Sequence, residues 1–553
     1  MADPPPPAGT FAPLRHPAFR AIWAASLLSN LGGLVQSVGA AWLMTTLATS
    51  ADQVALVQAA ATLPIMLLAL LAGAVADSLD RRLVMIAAQG FMLAVSLLLA
   101  ALAWAGLVTP PLLLLLTFLI GCGTALNGPA WQASVGDMVP RADLPAAVAL
   151  NSMAFNVARS AGPALGGAVV ALSGAGAAFL LNALSYLGLI AVLLRWRPAR
   201  PEAALPRESL GAAMRAGLRY VSLAPPILAA LLRGLVFGAG AVAATALMPL
   251  VASETLGGGP VTYGLLLGAF GVGAVGGALV SGRLRARLST EALVRGASLG
   301  FALALVGVAL SRSLPLTLLA LLPAGAAWVL ALSSLNVTVQ MSTPRWVVAR
   351  ALSLYQMATF GGMAGGAWAW GLAAEHAGLP LAFGGAAAVL ALAALLGLRL
   401  PLPETAGRDL GPLAAWQAPA TALPVEPRSG PVVVAVEWRV ADGDQPAFLR
   451  LMAERRRVRR RDGAQDWHLL RDLADPELWV ERYRVPTWLD YLRLNTRPTR
   501  EDAEVWAGLR ALTRGGRPLV RRMIEREPRP PLQDAAAAAR ELAAPDADPS
   551  RPA

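Results

Sequence analysis

Along most of this chain the apolar residues do not alternate with polar ones. They run on for about twenty positions and then stop at a short charged or Pro/Gly-rich break. Crossing a bilayer as a helix takes roughly 20 consecutive apolar residues, and twelve such runs can be laid out. The first six fall near 21–47, 53–76, 83–106, 110–133, 146–172 and 176–195. The second six fall near 227–252, 261–282, 292–311, 315–340, 347–376 and 380–400. The fourth, fifth, tenth and eleventh runs are rich in Gly, Asn and Ser, which predicts that they face protein or a cavity more than lipid.

The pattern changes after Pro403. Residues 404–430 are Pro- and Ala-rich and read as a linker. Residues 432–440 alternate like a strand, and 445–460 set Phe448, Leu451 and Met452 at helical spacing. Residues 467–473 and 478–485 read as a strand pair around Asp475-Pro-Glu, and 488–494 open a further helix. The order strand–helix–strand–strand–helix predicts a small ferredoxin-like α+β domain. Residues 528–553, with Ala and Pro runs, are expected to be disordered.

The predicted organisation is therefore an all-α polytopic membrane protein of two six-helix bundles, 19–196 and 226–402, with a C-terminal α+β domain at 431–527. The remaining parts are an N-terminal segment 1–18, linkers 197–225 and 403–430, and the tail 528–553. Within the first linker, Leu210, Met214, Leu218 and Val221 share a face, with Arg215 and Arg219 elsewhere. That spacing predicts an amphipathic helix on the inner membrane face, its arginines meeting anionic lipid, against the alternative of a solvated linker.

Composition agrees with the pattern. The chain is 56% hydrophobic and 14% charged, where soluble proteins average about 25% charged. A net charge of +12 could indicate nucleic acid, but here the basic residues sit in short loops, which points to topology instead. Every basic residue is Arg, a composition typical of a GC-rich bacterial genome. One side collects Arg15, Arg20, Arg81, Arg82, Arg141, the arginines of 195–219 and of 283–295, Arg345, Arg350 and Arg399. The other holds Asp52, Glu254, Glu375 and Arg312. Both termini are thus expected on the cytoplasmic side of a bacterial inner membrane. The first run is too long for a signal-peptide core and should remain as the first helix.

Several chemistries are not expected. The single Cys122 allows no intrachain disulfide, His16, His376 and His468 have no metal-ligand spacing, and no nucleotide-binding P-loop is present. Neither a cofactor, a metal nor an ATP-driven pump is expected.

Between the second and third runs stands Gly73-Ala-Val-Ala-Asp77-Ser-Leu-Asp80-Arg81-Arg82. Small residues at Gly73 and Ala76 let helices approach, and Asp77 and Arg81, four apart, can pair. The motif resembles the loop 2–3 signature of the major facilitator superfamily of transporters; a stop-transfer cluster is the blander reading. The frame recurs after the eighth run, where Gly277 and Arg285 stand as Gly73 and Arg81 do and Ser281 replaces Asp77. Two duplicated halves would leave such a repeat. In the fifth run, Asn156-Val-Ala-Arg159-Ser-Ala-Gly162-Pro163-Ala-Leu-Gly166-Gly167 makes a small-residue stripe beside a proline kink. Gly-Pro-x-x-Gly-Gly resembles the antiporter signature found in exporters of that superfamily.

Asn127-Gly-Pro-Ala-Trp131-Gln132, the segments from Val139 and Ala149, and Thr343-Pro-Arg345-Trp346 through Arg350 to Tyr355-Gln356 are similar to the branch containing the enterobactin exporter and macrolide-efflux relatives. The C-terminal part, with Arg459, Asp462-Gly463-Ala464, Trp467, Asp475-Pro476, Trp479 and Glu481, resembles the extension of that branch's transmembrane secretion effector subgroup. The resemblance implies rocker-switch alternating access, a proton as coupling ion, and export of a drug- or siderophore-class small molecule. It also implies a cytoplasmic-side lock in which Asp77 faces the start of the eleventh helix near Arg350. Polar residues near mid-span are candidates for the substrate cavity: Asn30, Gln36, Asn127, Asn156, Arg159, Asn336, Gln340 and Gln356. For each Asn or Gln the alternative is a plain interhelical hydrogen bond. No Asp or Glu stands near the middle of any run, so the site of proton coupling is left open. The C-terminal domain is expected to serve dimerisation, giving a homodimer, or regulation. The rival reading places the activity in that domain, whose fold resembles small antibiotic-biosynthesis monooxygenases. Against it, Trp467, His468, Trp479 and Trp488 form no catalytic spacing and read as core aromatics.

Overall fold

The computed structural model describes residues 11–140, 143–197, 210–344, 346–404, 410, 413 and 418–526. The expectations for residues 1–10 and 528–553, and for Arg141 and Arg345, lie outside them. The chain divides into two compact units. One comprises Met1–Met214, Pro226–Gln340 and Ala349–Glu404; the other comprises Arg215–Pro225, Met341–Val348 and Thr405–Ala553.

The first unit is helical, as lipid requires: with no water to satisfy backbone groups, each spanning segment must bond internally. Its N-terminal half holds α1 (Pro17–Leu47), α2 (Ala51–Ser78), α3 (Arg81–Trp104), α4 (Pro110–Ser134) and α5 (Leu144–Arg195). The α5 run is two helices joined at Gly174, whose φ of 77° suits a residue without a Cβ. This turn separates the predicted fifth and sixth spans. The C-terminal half holds α7 (Pro225–Ala241), α8 (Ala243–Ala246), α9 (Met248–Leu250), a π turn at Val251–Thr255, α10 (Pro260–Arg285), α11 (Thr290–Leu310), α12 (Leu314–Met341), α13 (Val348–Ala377) and α14 (Leu379–Arg399). Ahead of them comes α6 (Leu210–Ser222), which begins in the first unit and ends in the second.

Among the described residues, ten helices are long and apolar enough to cross a membrane. One of these runs, Val157–Arg195, contains the Gly174 turn, and the 30-residue α13 is not among the ten. The seventh predicted span, read as one helix over 227–252, is broken into α7, α8, α9 and the π turn. Pro249 at the start of α9 has no N–H with which to continue the preceding helix.

Glycines set the closest approaches. A Cβ on Gly325 would lie 1.8 Å from the Phe270 carbonyl oxygen, and one on Gly273 would lie 1.9 Å from that of Leu322. Helices α10 and α12 therefore touch backbone to backbone. Next to that contact, Phe237, Phe270, Phe301 and Trp328 pack with ring centroids 5.8–6.4 Å apart.

In the second unit the folded domain carries β1 (Val432–Arg439), α15 (Gln445–Asp462), β2 (Gln465–Arg471), β3 (Leu478–Val485), α16 (Trp488–Thr496), α17 (Arg500–Ala511) and β4 (Leu519–Ile524). The sheet order is β2-β3-β1-β4, with each neighbouring pair antiparallel. Val432, Val434, Val436 and Trp438 of β1 are buried with Phe448, Met452, Tyr491 and Leu509 from the helices. The helix read from Trp488 ends at Thr496, and a new one starts under a capping box made by Thr499 and Asp502. Trp467, Trp479 and Trp488 pack against this core, and the Trp467 indole N–H donates to Glu481.

Candidate functional site

The stripe in α5 lies where the two halves of the first unit meet. A Cβ on Gly162 would lie 2.7 Å from the Leu34 Cβ, and one on Gly166 would lie 3.1 Å from the Val35 Cα, so both face α1. Gly167 turns to the other half: a Cβ there would lie 2.6 Å from the Pro260 carbonyl oxygen and 3.0 Å from the Gly264 Cα of α10. Gly264 returns the contact, 2.8 Å from the Pro163 carbonyl oxygen. Pro163, by removing one intrahelical bond, leaves that part of α5 able to bend. Small-residue spacing along α5 foretold close packing; it did not identify Gly264, whose helix carries many glycines.

About one turn before Pro163, toward the start of α5, stands Arg159. Its guanidinium lies 5.1 Å from the centre of the Trp328 ring and 5.6 Å from that of Phe270. A cation over desolvated rings is worth about 2 kcal/mol. Sequence alone places Arg159 among the cavity candidates; it does not point to the aromatic wall on α10 and α12.

Further contacts join the halves at the end carrying Asp52 and Glu375. Glu375 accepts a hydrogen bond from the Ala51 backbone N–H, the first residue of α2. A Cβ on Gly371 would lie 2.8 Å from the Ala55 Cβ. The Trp42 and Tyr263 rings stack 6.4 Å apart. Toward the opposite end, a Cβ on Gly73 would lie 3.1 Å from the Ser353 Oγ of α13. There Arg81 pairs with Asp137 at 3.0 Å and donates to the Ala76 carbonyl. Arg82 donates to the carbonyls of Leu193 and Leu194, tying α3 to the end of α5. The Asp77 side chain lies outside the described residues, and Arg350 opens α13. In the echo of this motif, Gly277 meets the Ala326 backbone and Arg285 donates to Ser333 at 2.7 Å.

The polar candidates divide. Gln36 is buried, and its amide oxygen accepts from Ser96 and Asn182, with Tyr186 joined to Asn182. It makes the interhelical bond that was the alternative to a substrate contact. Gln340 donates to Asn336 one turn away on the same helix. The Asn127 amide oxygen is buried and has no hydrogen-bond partner among the described residues. Asn30 is exposed, Gln356 is half-buried, and the Asn156 side chain lies outside the described residues.

A family model described as transmembrane secretion effector matches residues 8–530. The chain belongs to that family. It is of the major facilitator type, and many of its described helices are long and apolar enough to cross a membrane. Similar proteins include a staphyloferrin A transporter of Staphylococcus aureus, 32% identical over 174 residues, which is 31% of this chain and 43% of that one. The chain thus spans less than half the length of this relative. The MFS-type transporter YfiS of Bacillus subtilis is 27% identical over 337 residues, 58% of this chain and 78% of that one. Among solved structures, a bacterial homologue of the lysosomal transporter Spinster, inward-facing and unoccupied, superposes with TM-score 0.55 at 16% identity, covering 70% of this chain and 98% of that one. A D-xylose–proton symporter gives 0.54 at 15%, covering 70% and 99%. At such identities the likeness shows the fold alone.

Two charged residues of this family member had no place in the sequence reading. Arg233 of α7 is 1% exposed and pairs with Glu291 at the start of α11. Glu291 also accepts from the Leu402 backbone N–H at 3.0 Å and sits against Gly397 of α14. The signal was an arginine two turns inside an apolar run, where an unpaired charge is costly. In the second unit Trp346 is held between Tyr220, edge-on at 5.6 Å, and Arg497, 4.1 Å from its centre. Arg461 covers Tyr220 at 5.1 Å, and Arg497 donates to the Asp462 carbonyl at 2.6 Å. These aromatic residues come from α6 and from the segment between α12 and α13, and the arginines come from the folded domain.

Proposed function

We propose that this protein exports small hydrophobic or amphipathic molecules, of the drug or siderophore class, across the bacterial inner membrane by alternating access. The observation that carries this reading is the position of the Gly-Pro-x-x-Gly-Gly stripe, where α5 crosses α1 and α10 between the halves of the first unit. A transporter must open and close that crossing, and smooth glycine faces beside a proline permit it with little side-chain rearrangement. Twelve crossings follow if the Gly174 turn divides α5 and α13 also spans. Both termini then lie in the cytoplasm, with the lipid-facing side of α6 on the inner leaflet. Leu218 of α6 is exposed, while Ala216, Tyr220 and Val221 are buried. Protons drive the cycle as antiport, with Asp77 and Arg350 forming the cytoplasmic lock. Likeness to a staphyloferrin A transporter favours the siderophore side of the cargo class.

The C-terminal domain takes a ferredoxin-like fold, consistent with its strand order, and acts as a regulator rather than an enzyme. Its hold on Trp346 and Tyr220 supports this, because both belong to segments continuous with the membrane helices. Self-association through the edge strands β2 and β4 would make it a dimeriser as well. Cells expressing the full chain should hold less of a labelled siderophore or amphipathic dye than cells without it. Equal retention across a panel of both, with the protein in the membrane, would reject export.

A further inference from the structure

The folded domain of the second unit contains a cavity of about 370 Å³, within the roughly 300–1,000 Å³ of small-molecule sites. Its floor is Val436 and Val520, neighbours on β1 and β4, with Tyr483 of β3 beside them. Trp506 of α17 forms an aromatic side wall. Three guanidinium groups, those of Arg459, Arg510 and Arg522, complete it, and no acidic residue is among those that line it.

Arg459 is the deepest of the three, 4% exposed. Its guanidinium lies 5.1 Å from the Tyr483 ring and 5.0 Å from the Trp506 ring, and it donates to the Asn495 amide oxygen at 3.3 Å. Its Nε is buried with no hydrogen-bond partner among the described residues. The neighbouring carboxylates are already engaged: Glu481 with Arg455 and Trp467, and Asp462 and Asp502 with Arg461. At the exposed mouth, Arg522 donates to the Tyr491 hydroxyl at 2.6 Å and Arg510 donates to the Trp506 carbonyl at 3.4 Å. Burial pushes the Tyr483 phenol above its ordinary value, so its hydroxyl stays protonated and available to donate. Like charges around one space repel, and an unspent buried donor is costly; an anion relieves both. The apolar floor and the indole wall suit a ring more than a bare inorganic ion.

We propose that this cavity is a binding site for a small aromatic carboxylate. The carboxylate is held by Arg459, Arg522 and Arg510, and the ring lies against Trp506 and Val520. Guanidinium groups match a carboxylate with paired donors. Arg455 lies over the Trp506 indole, 3.6 Å from its centre, so the bound ring meets the remaining indole surface and Val520. The site lies within the second unit and, on the regulatory reading above, gives that domain something to sense.

The test is calorimetric titration of the full chain in detergent with 2-naphthoate, and in parallel with the neutral 2-naphthamide. Saturable binding of naphthoate is expected, roughly tenfold or more tighter than the amide. Arg510→Gln with Arg522→Gln, both at exposed positions, should weaken naphthoate roughly tenfold or more and leave the amide unchanged. Val520→Trp, which fills the floor while keeping every charge, should abolish binding of both. Arg159→Gln, in the membrane helices, should change neither. The proposal is overturned by absence of saturable naphthoate binding, by equal affinity for acid and amide, by unaltered binding in the double variant or in Val520→Trp, or by loss of binding in Arg159→Gln.

Discussion

The guanidinium of Arg159 in α5 lies 5.1 Å from the centre of the Trp328 ring in α12, so a cation of one half rests on an aromatic wall of the other. Counting from the start of the fifth span at 1.5 Å per residue puts it roughly 20 Å along the helix, where an arginine costs about 2.5–3.5 kcal/mol to insert. The cation–π contact offsets about 2 kcal/mol of this, and if Arg159 lines the transport pathway an anionic or electron-rich cargo would meet its guanidinium. Arg159→Lys, which keeps the charge, should retain most efflux of anionic cargo; Arg159→Gln should lose it at least tenfold while sparing neutral cargo. Efflux from proteoliposomes with matched cargo pairs reads this. Equal loss of every cargo in both variants, at normal membrane levels, would make Arg159 structural.

The Gly167–Gly264 crossing gives a second test. Leucine at Gly167 would drive its side chain into the Pro260 carbonyl and the α10 backbone. Overpacking of this kind costs about 1–3 kcal/mol. Gly167→Leu should insert normally and fail to transport, whereas Gly188→Ala, where a Cβ meets nothing within 4 Å, should transport as the parent does. Normal efflux by Gly167→Leu would show that this crossing need not close.

Buried Arg233 and half-buried Glu291 form a pair whose members fail separately. Glu291→Ala strands a guanidinium that is 1% exposed, at a cost of about 3–5 kcal/mol. Arg233→Met with Glu291→Met should recover much of that loss. Melting in detergent measures it. Additive losses in the double variant would mean that the two do not stabilise one another.

How much of this was legible in the sequence depended on the length scale. Long apolar runs and arginine breaks are unambiguous because a bilayer has one thickness and one solvent, so α1 to α5 and α10 to α14 fall close to the predicted spans. The break at 242–247 was not legible, because Ala and Val read alike in a helix and in a turn. Strand β4 was missed: Arg521 and Arg522 interrupt the alternation of Val520 and Ile524 on an exposed edge. The Thr499–Asp502 cap was present in the sequence as a Thr followed three residues later by an acid, and a closer reading would have divided α16 from α17 there. Partners across long separations were out of reach. Nothing local in Arg159 names Trp328, and nothing in Trp346 names Arg497.

That last pair predicts regulation. Arg497→Ala removes the cation from Trp346, a contact worth about 0.5–2 kcal/mol. If the domain acts through this hold, Arg497→Ala and a chain ending near Pro403 should change the transport rate in the same direction, the truncation by more. Unchanged rates in both would leave the domain without a role in transport.

Counterflow reads transport itself. Proteoliposomes loaded with unlabelled cargo are diluted into the same cargo labelled, using a panel of siderophores and amphipathic drugs, with and without a pH gradient. Transient accumulation of at least one panel member above protein-free liposomes is expected, with its rate altered by the gradient and the accumulation lost in Gly167→Leu. Folded protein that exchanges none of the panel, or exchanges it equally well as Gly167→Leu, would rule out alternating-access export of this cargo class.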